Sequence, residues 1–250
     1  SEKRFIASVW NATNLPSADG TLGNGDCSNV SLSGDGRFVA FQTLAMNLFS
    51  DDPNGEMPDA VLYDRETGAS SRIGLNPSGA PPAYGVILGN ISADGRWIAY
   101  LTREPVIGRN VVVFDRATGE RSIESAGVVP ADYWSPSISD DGRWVSFESP
   151  SLDTVPCQPS NSVNLVHLRD RATGALTIPW PADMPRGNGR SGAGVLTSDG
   201  RYLFLRLTRC GELCVDRFGP SVVGRLEPAT GAFVVVSSRD DGPIDDETEG

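Results

Sequence analysis

Apolar positions in this chain fall into short runs, each closed by a polar turn, and two kinds of turn recur. Asn29-Val30-Ser31-Leu32 runs into an Asp-Gly pair, and Arg37-Phe38-Val39-Ala40-Phe41 follows it. Asp-Gly between two apolar segments predicts a hairpin, because glycine takes positive φ without steric cost. A variable loop then leads to a third run, such as Val111-Val112-Val113-Phe114-Asp115. An Asp-Arg-x-Thr-Gly turn leads on to a fourth, such as Gly231-Ala232-Phe233-Val234-Val235-Val236. The runs are rich in β-branched and aromatic residues, so each unit is predicted to be a four-stranded antiparallel meander.

The unit repeats four times. Its first motif, Leu/Ile-Ser/Thr-x-Asp-Gly-Arg-aromatic-aliphatic, spans 32–39, 91–98, 138–145 and 196–203. The second motif is Asp64-Arg65-Glu66-Thr67-Gly68, Asp115-Arg116-Ala117-Thr118-Gly119 and Asp170-Arg171-Ala172-Thr173-Gly174. Its fourth copy has drifted to Glu227-Pro228-Ala229-Thr230-Gly231. The interleaving has a period of 47 to 59 residues. A lone meander leaves two apolar faces exposed and must stack on its neighbours, and radial stacking is the β-propeller solution. A β-sandwich would not need the same two turns four times.

The expected fold is therefore an all-β propeller over residues 1–237. Its blades are expected near 28–74, 86–125, 134–180 and 193–237, and an extra N-terminal strand at 3–9. Residues 238–250 hold Asp240, Asp241, Asp245, Asp246, Glu247 and Glu249, which predicts an acidic disordered tail or linker.

The motif Ser-x-Asp-Gly-Arg-aromatic-aliphatic-Ala-Phe/Tyr, followed by strand-Asp-Arg-x-Thr-Gly, resembles the TolB-type β-propeller repeat of bacterial proteins. Ser92 to Tyr100 and Val111 to Gly119 carry the match most clearly, and the resemblance covers roughly 28 to 237. It implies a fold and leaves function open, since this repeat serves unrelated roles. Closed rings of this family commonly have six or more blades. The extra N-terminal strand then predicts part of a longer propeller, the alternative being a four-bladed ring with an added edge strand. Enzymes with the repeat usually carry a second catalytic domain or a histidine-rich metal centre, and this chain shows neither.

Charge narrows the partners. The net charge is −11 with pI near 4.5, and no Lys/Arg cluster offers a face for phosphates or anionic lipid. No apolar run approaches the roughly 20 residues that span a bilayer. Protein or glycan partners remain, without nucleic acid or membrane insertion. Among the four cysteines, Cys210 and Cys214 flank a three-residue loop that predicts a disulfide. Unpaired thiols are the alternative, open also for Cys27 and Cys157. A disulfide favours a periplasmic or secreted location. The only histidine, His167, is expected to be structural, and Gly189-Arg190-Ser191-Gly192-Ala193 fails as a nucleophile elbow.

Few residues suggest a site. Asp51-Asp52-Pro53-Asn54-Gly55-Glu56-Met57-Pro58-Asp59 spaces hard oxygen donors around a glycine turn, as calcium loops do. Related secreted repeats often carry Asp-x-Asn-Gly-x-x-Asp here, which implies a metal site at Asp52, Asn54 and Asp59. A solvated Asn-Gly turn is the competing reading. Asp35, Asp94, Asp141 and Asp199 are explained by turn chemistry, while Arg37, Arg96, Arg143 and Arg201 suit carboxylate pairing within or between blades. Phe38, Trp97, Trp144 and Tyr202 recur in one register and predict packing between blades. Trp134 and Trp180 lie outside it and are candidates for an exposed binding face.

Catalytic residues are expected to be absent. The function expected is a non-enzymatic, extracytoplasmic interaction scaffold, with specificity in loops 42–58, 148–161 and 206–220. The alternatives are the propeller portion of a longer peptidase or hydrolase, and a calcium-stabilised adhesion-type repeat protein.

Overall fold

The computed structural model describes residues 23–76, 78–104, 108–127, 133–151, 163–180, 190–210 and 218–237. The expected strand at 3–9 and the tail at 238–250 lie outside them. Blade 1 comprises β1 (Cys27–Leu32), β2 (Phe38–Thr43), β3 (Asp59–Asp64) and β4 (Ala69–Arg72). Blade 2 comprises β5 (Val86–Ile91), β6 (Trp97–Glu104), β7 (Gly108–Asp115) and β8 (Arg121–Ile123). Blade 3 comprises β9 (Trp134–Ile138), β10 (Trp144–Ser151), β11 (Val163–Asp170) and β12 (Leu176–Thr177). Blade 4 comprises β13 (Arg190–Leu196), β14 (Leu203–Cys210), β15 (Phe218–Glu227) and β16 (Ala232–Ser237). Each is an antiparallel meander with its strands in chain order. The second strands of blades 3 and 4 run further than expected, to Ser151 and Cys210, so the loops after them are shorter.

The first motif folds in the same way each time. In blade 1 the Ser33 hydroxyl donates to Asp35 Oδ1 (2.6 Å) and accepts from Phe38 N–H (2.9 Å). Asp35 Oδ1 also accepts from Arg37 N–H (2.9 Å). The serine thus closes the hairpin and the aspartate ties the turn, as such short polar side chains do. Blade 4 substitutes Thr197, whose hydroxyl makes the same two bonds to Asp199 (2.6 Å) and Tyr202 N–H (3.0 Å). The Ser33 hydroxyl bond is the main cause holding the exposed Asp35 carboxyl below its ordinary pKa.

The second motif is bolted to the first. Arg37 grips Asp64 through two bonds (3.0 and 2.7 Å), Arg96 grips Asp115 (2.9 and 2.8 Å), and Arg143 grips Asp170 (3.0 and 2.9 Å). These forked pairs are foremost in drawing all three carboxyls down to about 2. In return the motif's arginine donates to the carbonyl of the turn glycine: Arg65 to Gly36 (2.8 Å), Arg116 to Gly95 (2.8 Å) and Arg171 to Gly142 (2.6 Å). All of these contacts are within one blade.

Blades stack through three apolar interfaces among the described residues. Phe38, Ala40 and Leu62 meet Val86, Ile98 and Tyr100. Ala99, Leu101 and Val113 meet Ile138, Val145 and Phe147. Trp144, Val166 and Leu168 meet Leu196, Leu203 and Leu205. The strands β1, β5, β9 and β13 follow one another in contact, so the first strand of every blade is the inner one. In each blade the pairing of first and second strand is shifted once, between Ser28 and Ser31 in β1 and between Leu88 and Ile91 in β5. The same irregularity falls between Trp134 and Ser137 in β9 and between Gly192 and Val195 in β13. At these bulges the inner strands reach sideways. Ser31 Oγ accepts from Ile91 N–H (3.1 Å), and Asn90 both donates to Ile138 O (2.9 Å) and accepts from Ile138 N–H (2.7 Å).

The two end faces differ. On blade 1, Val39, Phe41 and Val61 are buried with Ala45, Leu48 and Phe49 from the loop after β2. On blade 4, Val195, Phe204, Arg225 and Val234 lie opposite one another across the four strands. Val195 is 59% and Val234 47% exposed there.

Candidate functional site

The aromatic of the first motif sits at the junction with the following blade. Phe38 packs so tightly under the next turn that a Cβ on Gly95 would stand 2.5 Å from its ring. Gly95 is also at φ +70, so both space and conformation require glycine there. The arginine of the blade's own first motif stacks on each ring: Arg37 on Phe38 (4.8 Å), Arg96 on Trp97 (4.4 Å), Arg143 on Trp144 (4.6 Å) and Arg201 on Tyr202 (5.0 Å). At two junctions a second guanidinium comes from the next blade, Arg116 over Phe38 (4.1 Å) and Arg171 over Trp97 (4.5 Å). The ring is thus held between two cations, each attracted by its quadrupole.

The third junction breaks the pattern. The position of Arg116 and Arg171 is Pro228 in blade 4, which has neither the charge nor the donors. The carbonyl of Gly200, the counterpart of Gly95 and Gly142, receives no arginine donor among the described residues. Beside Trp144 lies a cleft of about 410 Å³, walled by Ile178, Pro179, Trp180, Leu226 and Pro228, with the paired Arg143 and Asp170 at its side. The matching cleft between blades 2 and 3, about 400 Å³, is lined by Trp97 and Val113 together with Asp115, Glu120, Arg121 and Arg171.

The two tryptophans singled out in the sequence separate here. Trp180 is half-buried, lines this cleft and packs on the core shared by blades 3 and 4. Trp134 opens β9, also half-buried, with the Arg109 guanidinium 5.2 Å from its ring.

Asp52, Asn54 and Asp59 do come together, around an arginine. Arg72 Nε stands 2.9 Å from Asp59 Oδ2 and its second nitrogen 3.7 Å from Asp52 Oδ1, with all three side chains under 10% exposed. Arg72 also donates to the Asp51 carbonyl (2.7 Å) and lies over Phe49 (4.6 Å). Asp52 Oδ1, Asn54 Oδ1 and Asp59 Oδ1 are buried without a hydrogen-bond donor. Burial is the largest cause pushing the Asp59 carboxyl above its ordinary pKa, against the pull of Arg72. Sequence reading missed Arg72 because it is in β4, on the far side of the second motif.

His167 is buried in β11, with its ring stacked on Phe147 (centroids 5.4 Å apart) and Nδ1 3.1 Å from the Leu165 carbonyl. Cys27 is half-buried, and burial raises its thiol pKa. Cys157 and Cys214 lie outside the described residues, as does the side chain of Cys210, so the expected disulfide falls there too. Among the described residues no helix is long and apolar enough to cross a membrane.

Stacked four-stranded meanders with inner first strands define a β-propeller. Its fold is TolB-like. TolB from Acinetobacter baumannii superposes with a TM-score of 0.50 at 15% identity, over 91% of this chain and 51% of that one. The β-propeller domain of the Trilobed protease from Pyrococcus furiosus, described as having an open velcro topology, gives 0.54 at 12% identity, over 86% and 58%. A prolyl endopeptidase gives 0.54 at 16% identity, over 96% of this chain and 32% of that one. No family model matches the chain, and no curated protein does. At such identities the likeness is one of fold. This chain spans about half the length of the TolB chain it matches.

Proposed function

We propose that this protein is a non-enzymatic interaction scaffold that works outside the cytoplasm and binds a protein or glycan. The observation that carries the reading is the distribution of variation over a constant frame. The hairpin turns repeat in all four blades and the forked Arg–Asp pairs in the first three, whereas the connections from second to third strand differ in length and composition. Antiparallel meanders send those connections to one end of the blades, where a rigid frame presents variable loops to a partner. The test is turnover. The purified protein is expected to leave peptide and glycan libraries uncleaved, and hydrolysis that disappears on mutation of residues in loop 44–58 would overturn the reading.

A second reading, the propeller portion of a longer peptidase or hydrolase, draws on the likeness to propeller domains of proteases. A catalytic domain in the same uninterrupted reading frame would establish it, and a frame without one would remove it. A third reading, calcium stabilisation, draws on the three buried oxygens without donors around Arg72. Against it stands Arg72 itself, whose guanidinium already occupies the space between the two carboxylates. If calcium binds, chelation lowers Tm and Asp52→Ala or Asp59→Ala abolishes the difference; an unchanged Tm on chelation rejects it.

A further inference from the structure

We propose that a second, larger cleft between blades 2 and 3 receives an acidic side chain of a protein partner, held by Arg143 in the way that Arg37 holds Glu66 within blade 1. This deepens, and rests on, the scaffold reading above. Blade 1 supplies the template. Arg37 holds Asp64 through Nε and Nη2 and lies over Phe38, and its remaining nitrogen, Nη1, still donates to Glu66 Oε2 at 2.8 Å. Arg143 is bound in the same way to Asp170 and Trp144. Where blade 1 has Glu66, blade 3 has Ala172, which carries no carboxylate. The two turns are alike: Glu66 N–H donates to Asp64 Oδ1 and Ala172 N–H to Asp170 Oδ1, both at 3.0 Å. Arg143 Nη1 has no partner among the described residues, and the Arg143 side chain is 42% exposed. Arg143 and Ala172 both line the cleft, whose volume is about 630 Å³. The place of the Glu66 carboxylate is thus open space in blade 3.

The rest of the cleft suits a carboxylate. Arg169 and Arg171 stand in its wall beside Arg143. Arg171 is paired with Glu124 (2.9 Å). Arg169 donates instead to the carbonyls of Glu124, Ala126 and Gly174, and makes no ion pair among the described residues. Asp141 also lines the cleft, but its counterpart Asp35 sits in the same turn beside Arg37, and Glu66 binds there nonetheless. Ile123, 40% exposed, and Trp97 offer the stem of an acidic residue an apolar wall. A guanidinium bonds a carboxylate more strongly than a neutral amide, so charge as well as shape selects the occupant. The occupant of the template is a glutamate side chain, which makes a protein glutamate the direct replacement. Arg96 lacks the third partner too, since Ala117 stands there, but it lines neither cleft between blades 2 and 3.

The test uses the full chain, with acetyl-Leu-Glu-Leu-amide as probe and its glutamine counterpart as control. Binding is read from the methyl resonances of Ile123 and Ala172. The glutamate peptide is expected to shift both saturably at low salt, about fivefold more tightly than the glutamine peptide. Ala172→Glu, which gives blade 3 its own copy of Glu66, is expected to abolish the shift at Ile123. Ala126→Trp, which fills the cleft from an exposed position, is expected to block binding should the first variant misfold. Ala117→Glu adds the same charge beside Arg96, outside the cleft, and is expected to leave binding unchanged. Equal binding of the glutamine peptide, unchanged binding by a folded Ala172→Glu or Ala126→Trp protein, or an equal loss in Ala117→Glu would overturn the cleft. Glucuronate shifting the same methyls while the peptide is silent would also overturn it, by making the occupant a glycan. Methyls silent towards every probe would remove the cleft and leave the scaffold reading to its own turnover test. Cleavage of the bound peptide would instead overturn the scaffold reading and leave the cleft standing.

Discussion

Blades 2 and 4 begin from the same motif and end as different surfaces. Blade 2 is buried on both sides: Ile98 and Tyr100 face blade 1, Ala99 and Leu101 face blade 3, and all four are inaccessible to water. Its two motifs are locked by Arg96 with Asp115, and its Arg116 plugs the junction behind it. Blade 4 keeps the hairpin, through Thr197, and loses the rest. Arg201 makes no ion pair among the described residues, Pro228 plugs nothing, and the outer face mixes exposed valines with Arg206 and Arg225. Where blade 2 has Leu101 and Val113, blade 4 has those two arginines at the matching positions. Strand and turn chemistry make a blade. What lies on its two faces decides whether it is filling or surface.

The comparison can be broken most sharply in the core. Leu101→Ala removes a fully buried side chain from the interface of blades 2 and 3 and should cost about 3 kcal/mol in chemical denaturation. Val195→Ala, on the open face of blade 4, should stay within about 0.5 kcal/mol. Similar losses at the two sites would mean that the blade 4 face is covered in solution.

Acid provides a second test. Asp115 is held at about 2, below its ordinary 3.8, chiefly by the forked bond from Arg96. A depressed carboxyl stabilises the fold above the unfolded value and loses that contribution as pH falls through the folded one. Asp115→Asn should therefore lower Tm at neutral pH, and its difference from the parent should close between about pH 4 and pH 2. Arg201→Gln should leave the parent's acid profile in place. An Asp115→Asn deficit that persists at pH 2 would show the loss to be steric rather than electrostatic.

A smaller effect is expected at the open face. The joint change Arg206→Val and Arg225→Leu removes both charges from a face that already exposes Val223 (38%) and Val234 (47%). Charges pointing out of an open sheet discourage association, so concentration-dependent dimers should appear in light scattering while the parent's mass is unchanged. A double variant with the parent's mass at every concentration would mean that the valines alone do not drive pairing.

Much of the fold was legible because hairpin chemistry is local. Ser33, Asp35 and Gly36 close their turn within six residues of one another, and such patterns survive translation into sequence. The pairing of Arg37 with Asp64 was half legible: both residues recur, and only their junction through a hairpin had to be supplied. The plug was not legible, because Arg116 acts on Phe38, a partner one blade away. Its disappearance at Pro228 was visible as drift, without a structural meaning until the neighbouring junctions showed what the arginine does. At 52–59 the donors were readable in sequence and their partner was not, since Arg72 returns to them from the outer strand. Of the candidate tryptophans, spacing alone did not reveal that Trp180 would border a cleft while Trp134 would carry a guanidinium from β7 of the preceding blade.

A chain written in four near-copies risks folding its copies in the wrong order. The turn residues shared by the blades cannot prevent this, since they bond within their own blade. The inner-strand bulges can. The clasp between Asn90 and the backbone of Ile138 exists at one junction, and the Ser31 bond to Ile91 at another. Each acts as an address that only one neighbour answers, and a blade docked out of turn would bury an unsatisfied amide or hydroxyl. Fidelity of assembly is thus carried by the least repetitive strands of the protein.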